Sequence, residues 1–344
     1  MKQTLLIAAM IALTTCANAT EPVVQVLVGP HDADPGKNVA PGRLSYPFGI
    51  DFDANENMII VEYKGGRIFK RTPTGDVFQI GGLGHAGYEG DGGPMTKASF
   101  RDMHNVAIGP DGSYYISDHA NHAIRRVDGG GNISTYAGGQ AGFEGDTKSV
   151  TNARFNTPIS VSISPDKKYL LVADLKNYRI RRITLHDGRI DTVAGNGERG
   201  IPSDGAKATT APLFDPRAAA YDDTGNLYIV ERGGHALRVV DAQGLIYTVA
   251  GNGKKGKADG VGKKANLNSP KHLVIDTRGD VYIADDNNHL VRRFEPRTGL
   301  LSTVLGVGKF RLNRPHGVQA NNGWLYIADS WNHRVVRVKL TKNL

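Results

Sequence analysis

The stretch Phe155-Asn-Thr-Pro-Ile-Ser-Val-Ser-Ile-Ser-Pro-Asp166 is followed by Tyr169-Leu-Leu-Val-Ala-Asp174, Asn177-Tyr-Arg-Ile-Arg-Arg-Ile183 and Ile190-Asp-Thr-Val-Ala-Gly-Asn-Gly197. Each piece is a short run rich in β-branched residues, and Pro, Asp, Asn or Gly stands between the pieces. That pattern predicts four strands per unit. The unit recurs around Pro47, Met103, Pro158, Pro216, Pro270 and Pro315, with a mean period of 53.6 residues. Four-stranded units at this spacing predict an all-β, six-bladed β-propeller. The blades are expected near 45–80, 100–139, 155–197, 213–253, 267–306 and 312–339. The sixth repeat carries only three strands. Its missing outer strand is expected at the other end of the chain, where 22–29 reads Pro-Val-Val-Gln-Val-Leu-Val-Gly. An N-terminal strand that completes the last blade closes the ring and removes the open sheet edges.

Composition agrees with a turn-rich β fold. Glycine makes up 43 of 344 residues, against a usual share of about 7%, and 40% of residues are hydrophobic, enough for a packed core. The N-terminus reads as a secretory signal over residues 1–19: Lys2, an apolar run from Leu5 to Leu13, and Ala17-Asn18-Ala19 as the cleavage site. A single propeller domain, 20–344, and an exported location, periplasmic or secreted, follow. The one cysteine, Cys16, lies inside this signal. Lipid attachment at Leu13-Thr14-Thr15-Cys16 is the alternative, although Thr before Cys fits it poorly. Cleavage after Ala19 leaves no thiol for a disulfide, a nucleophile or a metal. The net charge of +8 is spread along the chain rather than blocked. This favours a basic surface or an acidic ligand over nucleic acid. No apolar run is long enough to cross a membrane as a helix. A monomer is expected.

Tyr-Ile-Ala-Asp (282–285) with Asn288-His289-Leu290, and Tyr-Ile-Ala-Asp (326–329) with Asn332-His333-Arg334, resemble the NHL repeat. Thr-Val-Ala-Gly-Asn-Gly (192–197, 248–253) and Gly-Asp-Gly-Gly-Pro-Met-Thr (90–96) resemble the linkers of bacterial secreted NHL-repeat proteins. The resemblance covers nearly all of the chain after residue 19. It implies the propeller fold, and it leaves function open among binding scaffolds, sensors and a few enzymes.

Residues that recur in every blade are expected to serve the blade. Asp118, Asp174, Asp285 and Asp329, with Glu62 and Glu231, end the second strands and are expected to hold turns. His122, His235, His289 and His333 occupy the repeat's own turn. Arg125, Arg181, Arg238, Arg292 and Arg337 on the third strands are expected to face outward. The Gly-Asp-Gly loops lack the ligand spacing of a calcium loop.

Function is expected where blades differ. The starts of the first strands and the ends of the second share one channel mouth, because a hairpin sets them side by side. The first set is Phe48, His104, Ile159, Arg217, Lys271 and His316, followed by Gly49, Asn105, Ser160, Ala218, His272 and Gly317. The second set is Tyr63, His119, Leu175, Arg232, Asp286 and Ser330.

Two readings of this mouth are compatible with the sequence. In the leading one, Arg217, Lys271, Arg232 and Lys64, with Asn105, bind an acidic glycan or other ligand without catalysis. In the other, His104, His316 and Tyr63 act as acid and base, or His104, His316 and His272 hold one divalent metal, zinc or calcium, for a lyase or hydrolase. Pro315-His316-Gly317 and Met103-His104-Asn105 resemble zinc-histidine pieces of peptidyl-α-hydroxyglycine amidating lyases, but the third alternating position is Arg217. Gluconolactonase-like propellers need a Glu/Asn/Asp set that Asn105 alone does not supply. There is no Gly-x-Ser-x-Gly, Walker loop or His-Glu-x-x-His. A protein partner would use the loops 81–99, 138–154, 195–212 and 251–266, the last with Lys254, Lys255, Lys257, Lys263 and Lys264.

Overall fold

The computed structural model describes residues 22–29 and 44–340. The signal segment and Cys16 lie outside the described residues. Six antiparallel sheets stand as blades around a channel, and in each the inner three strands follow sequence order from the channel outward. Blade one holds Pro47–Phe52, Met58–Glu62, Ile68–Arg71 and Val77–Gly81. The inner strands of blades two to six are Met103–Ile108, Pro158–Ile163, Pro216–Tyr221, His272–Ile275 and Gly317–Asn321. Each inner strand touches the next, and Gly317–Asn321 returns to Pro47–Phe52.

The second strands are buried along their length, as in Met58–Glu62 and Val281–Asp285. The core is therefore divided into six apolar clusters, one between each pair of adjoining blades. In the interface of blades two and three, for example, Ile124 and Phe155 pack with Val172 and Ile183. The propeller has no single central core, because its axis is a channel.

Blade six is completed by Val24–Val28. This strand pairs antiparallel with Arg334–Lys339 through Val24–Val338, Gln25–Arg337 and Val26–Val336. Removing residues 1–29 should expose that edge. A lower unfolding midpoint and concentration-dependent association are expected, measured by denaturation and light scattering. An unchanged midpoint with a monomeric mass would show that closure does not depend on this strand.

Two expectations need correction. Blades two to five carry a fifth, two-residue outer strand rather than four strands only: Gly93–Pro94, Lys148–Ser149, Ala206–Lys207 and Gly260–Val261. Arg125, Arg181, Arg238 and Arg292 do not face outward. Each is essentially fully buried, because the third strand is covered by neighbours on both faces and a carboxylate waits inside. Arg292 bonds Asp285 at 3.0 Å and Asp259 of the Gly-rich loop at 2.7 Å. Arg125 does the same with Asp118 and Asp91, and Arg181 forms ion pairs with Asp174 at 3.6 Å and Asp146 at 2.8 Å. Arg337 is half-buried and bonds Gln25.

The recurring acids serve the blade as expected. One oxygen of each accepts a backbone N–H from the segment entering the blade: Arg101 on Asp118, Asn156 on Asp174, Asn268 on Asp285, Asn313 on Asp329, Phe214 on Glu231 and Ser45 on Glu62. The recurring histidines are staples between blades. His122, His235, His289 and His333 end their turns in the left-handed region. Each Nδ1 accepts the N–H of a residue opening the next blade, at 3.0–3.2 Å, from Thr157, Ser269, Arg314 and Tyr46.

Candidate functional site at the channel entry

The geometry of the entry mouth comes from a backbone device repeated around the ring. Tyr46, Asp102, Thr157, Asp215, Ser269 and Arg314 all have φ between +50° and +62°. Non-glycine residues enter this region rarely. Here the recurrence shows that the fold imposes it. Two residues later, four blades carry a β-bulge, where the register jumps from Pro47 to Gly49, Met103 to Asn105, Pro158 to Ser160 and Pro216 to Ala218. The extra residues are Phe48, His104, Ile159 and Arg217. A bulge takes its residue out of the ladder and re-aims its side chain. The first set named from the sequence is thus the set of bulge residues, plus Lys271 and His316.

The mouth brings most of these side chains together. Trp331, His316, Phe48 and Tyr63 form a continuous ring stack, with centroids 5.3, 3.9 and 4.5 Å apart. Cations lie at both ends of it: Arg314 over Trp331 and Lys64 over Tyr63. His104 lies 5.8 Å from both His119 and His316. Arg217 of blade four reaches across to blade two and donates to Nε2 of His104 at 2.7 Å. Asp286, fully buried, receives Arg314 at 2.8 Å, Lys271 at 3.8 Å and Nδ1 of His316 at 3.3 Å.

Burial and the cations nearby set the protonation of this cluster. His104 and His316 are held well below the usual imidazole value by burial, with Arg217 and Lys271 adding to the effect. His119 is pushed down to about 3 by burial and then by Arg217. All three are neutral at pH 7. Nδ1 of His316 faces two acceptors, Asp286 and the Arg314 carbonyl, so we assign its hydrogen there, which leaves Nε2 as an acceptor. Burial lowers Lys271 to about 7, Arg217 contributing. Arg217 itself falls to about 9, mainly through burial, and stays cationic at neutral pH.

Arg217 differs from every other buried arginine here. Its residue is 5% exposed, yet no carboxylate among the described residues pairs with it, and its Nε has no hydrogen-bond partner. Arg125, Arg181 and Arg292 also leave Nε unbonded, but each holds two carboxylates. Nδ1 of His119, beside Arg217, is likewise buried without a partner.

Other residues singled out from the sequence fall elsewhere. Arg232 is taken up by Asp215 at 3.0 Å, and Lys64 sits on the exposed rim, 3.8 Å from Asp102. Asn105 and His272 do not join the mouth. Each lies one residue further along its strand, and the alternation of side chains turns it away. Nδ2 of Asn105 and Nε2 of His272 meet at 3.1 Å, tying blade two to blade five across the channel. His272 therefore does not stand with His104 and His316. Among the described residues, no group of three or more His, Cys, Asp or Glu side chains is arranged to hold a metal ion. Sequence reasoning missed Trp331 and Arg314. The signal available was the slot before Pro315, which holds Arg where other blades hold Tyr, Asp, Thr or Ser.

The NHL repeat family profile matches residues 312–338, and the teneurin NHL domain profile matches residues 186–259. NHL repeat-containing protein 2 of Homo sapiens is 26% identical over 346 residues, covering 87% of this chain and 47% of that protein. The chain spans less than half the length of the curated relatives it matches. An auxiliary nutrient binding protein from Bacteroides thetaiotaomicron superposes with a TM-score of 0.64 at 15% identity, covering 92% of this chain and 75% of that one. A catalytically inactive virginiamycin B lyase from Staphylococcus aureus, bound to quinupristin, superposes with a TM-score of 0.60 at 14% identity, covering 93% and 100%. With its Asn-His turns stapling blade to blade, the chain is a β-propeller of six blades whose last blade matches the NHL repeat profile.

Proposed function

We propose that this propeller is an exported, non-catalytic binding module that takes an anionic ligand, a carboxylate of an acidic glycan, at the entry mouth. The observation that carries the reading is Arg217. A buried cation without a counter-ion is costly. A ligand carboxylate would supply that counter-ion and match the guanidinium fork. Lys271 adds a second cation, and the ring stack supplies an apolar wall for a sugar face. The nutrient-binding protein among the structural neighbours supports a binding role by analogy of fold.

The test is calorimetric titration with galacturonate and galactose, and with glucuronate and glucose. Binding of the acids and not of the neutral sugars is expected. Equal binding of each pair would overturn the reading. The affinity should also weaken as pH rises through about 7, where free Lys271 loses its proton. A bound anion favours the charged form, so the midpoint in the complex lies higher. Lys271→Met should flatten this dependence while Arg217 keeps its charge. An unflattened profile would assign it to another group.

The second reading, an acid/base lyase or hydrolase at the same mouth, is favoured by Lys271, lowered to about 7, and neutral His316 meeting at the same buried carboxylate, Asp286. Elimination from a uronate glycan creates a conjugated double bond. A time-dependent rise in ultraviolet absorbance that His316→Ala abolishes would establish it.

A further inference from the structure

The channel has a second mouth where the inner strands end. A cavity of about 810 Å³ opens there, lined by residues of all six blades. That volume lies within the roughly 300–1,000 Å³ of small-molecule sites. Its inner end is the Asn105–His272 tie. Nδ1 of His272 faces the Val318 N–H at 3.5 Å, and Oδ1 of Asn105 accepts the Val161 N–H at 3.2 Å. Four blades thus meet in this crossbar, which separates the cavity from the Arg217 cluster.

The charge of this end is opposite to that of the entry. Asp51 lines the cavity, and its carboxylate is held by neutral donors only. Oδ2 accepts the Ile108 N–H at 2.7 Å, and Oδ1 accepts the Phe52 N–H and the Gln319 amide. No Lys, Arg or His among the described residues pairs with it, and one lone-pair direction on Oδ2 remains. His272, pushed down to about 4 chiefly by burial, brings no charge to the inner end. Arg278 at the rim is engaged by Asp276 at 2.9 Å and Asp280 at 3.7 Å. Asp222 and Asp223 add acid at the opening, against Lys167. Val106, Val161 and Val274 supply apolar wall. The space far exceeds that of a bare ion.

We propose that this far mouth is a second ligand site, taking a small organic cation whose ammonium group pairs with Asp51. The propeller then binds an anion at one mouth and an amine at the other, with the Asn105–His272 crossbar between them.

The test is calorimetric titration of the full chain with putrescine and, separately, with its neutral isostere butane-1,4-diol. Putrescine binding without diol binding is expected. Loss of a hydrogen bond to a charged group predicts that Asp51→Asn weakens putrescine by about 10- to 100-fold, while uronate binding at the entry mouth stays unchanged. Ala320→Phe, which narrows the cavity while keeping the Asp51 carboxylate, should weaken it as well and covers the case in which Asp51→Asn fails to fold. Equal binding of the diol, full putrescine affinity in a folded Asp51→Asn or Ala320→Phe variant, or no putrescine binding at millimolar concentration would each overturn the proposal.

Discussion

Replacing Arg292 with alanine is expected to lower the unfolding free energy by about 3–5 kcal/mol, because it strands buried carboxylate. Arg292 is 0% exposed and bonds Asp285, Asp259 and the carbonyls of Asn266 and Ala258. It therefore clamps the Gly-rich loop, the third strand and the end of the second strand together. Removing it leaves Asp285, also fully buried, with Asn288 and a backbone N–H but no cation. Burial already holds Asp285 up at about 6 with the arginine present. Without it the carboxyl should bind a proton at neutral pH, and the variant should recover part of its stability on mild acidification. Urea denaturation at pH 7 and near pH 5.5 measures both effects. A loss under about 1 kcal/mol would place the pair among ion pairs that contribute nothing measurable. The same argument applies to Arg125 and Arg181, whose clamps repeat the arrangement.

Arg217→Ala should behave in the opposite way. It removes a buried cation that no carboxylate compensates, so stability should hold or rise. Affinity for galacturonate should fall by about 2–5 kcal/mol, or about 30-fold and more, as when one partner of a buried charge pair is truncated. The contrast between the two arginines is the useful measurement. Both are buried, and both sit in a propeller whose repeats differ little. One is paired within the blade, and the other is left unpaired within the protein. If Arg217→Ala costs as much stability as Arg292→Ala and leaves affinity intact, Arg217 is structural and the anion site is lost.

The repeat period made the fold legible because each blade is a local unit, and turn residues punctuate it at fixed offsets. The closing strand could be placed because the sixth unit lacked one. The two-residue outer strands could not, since a pair such as Gly93–Pro94 carries no alternation to read. The third-strand arginines were misread for a related reason. Alternation separates faces only when one face meets water, and in Ala123–Val127 both faces are covered. At the site, the bulge positions were legible as differences between blades. Their grouping was not. The distance between His104 and Arg217 depends on ring geometry across 113 residues. His272 shows the cost of one step along a strand, which takes a side chain out of the mouth and into the crossbar.

Ring closure by Val24–Val28 also bears on when the molecule can finish folding. The pairs inside a blade join strands close in sequence, so blades can form one after another as the chain leaves the ribosome. Val24 must wait for Val338. At about 5–20 residues per second, that wait is on the order of tens of seconds. Until then Val24–Val28 has no partner strand, and blade six lacks its outer strand. The last contact to form is thus the one with the longest loop, and its entropic cost grows only slowly with that length. The vulnerable interval is set by synthesis more than by thermodynamics, and a binding partner for the free edge during that interval would protect the yield of native protein.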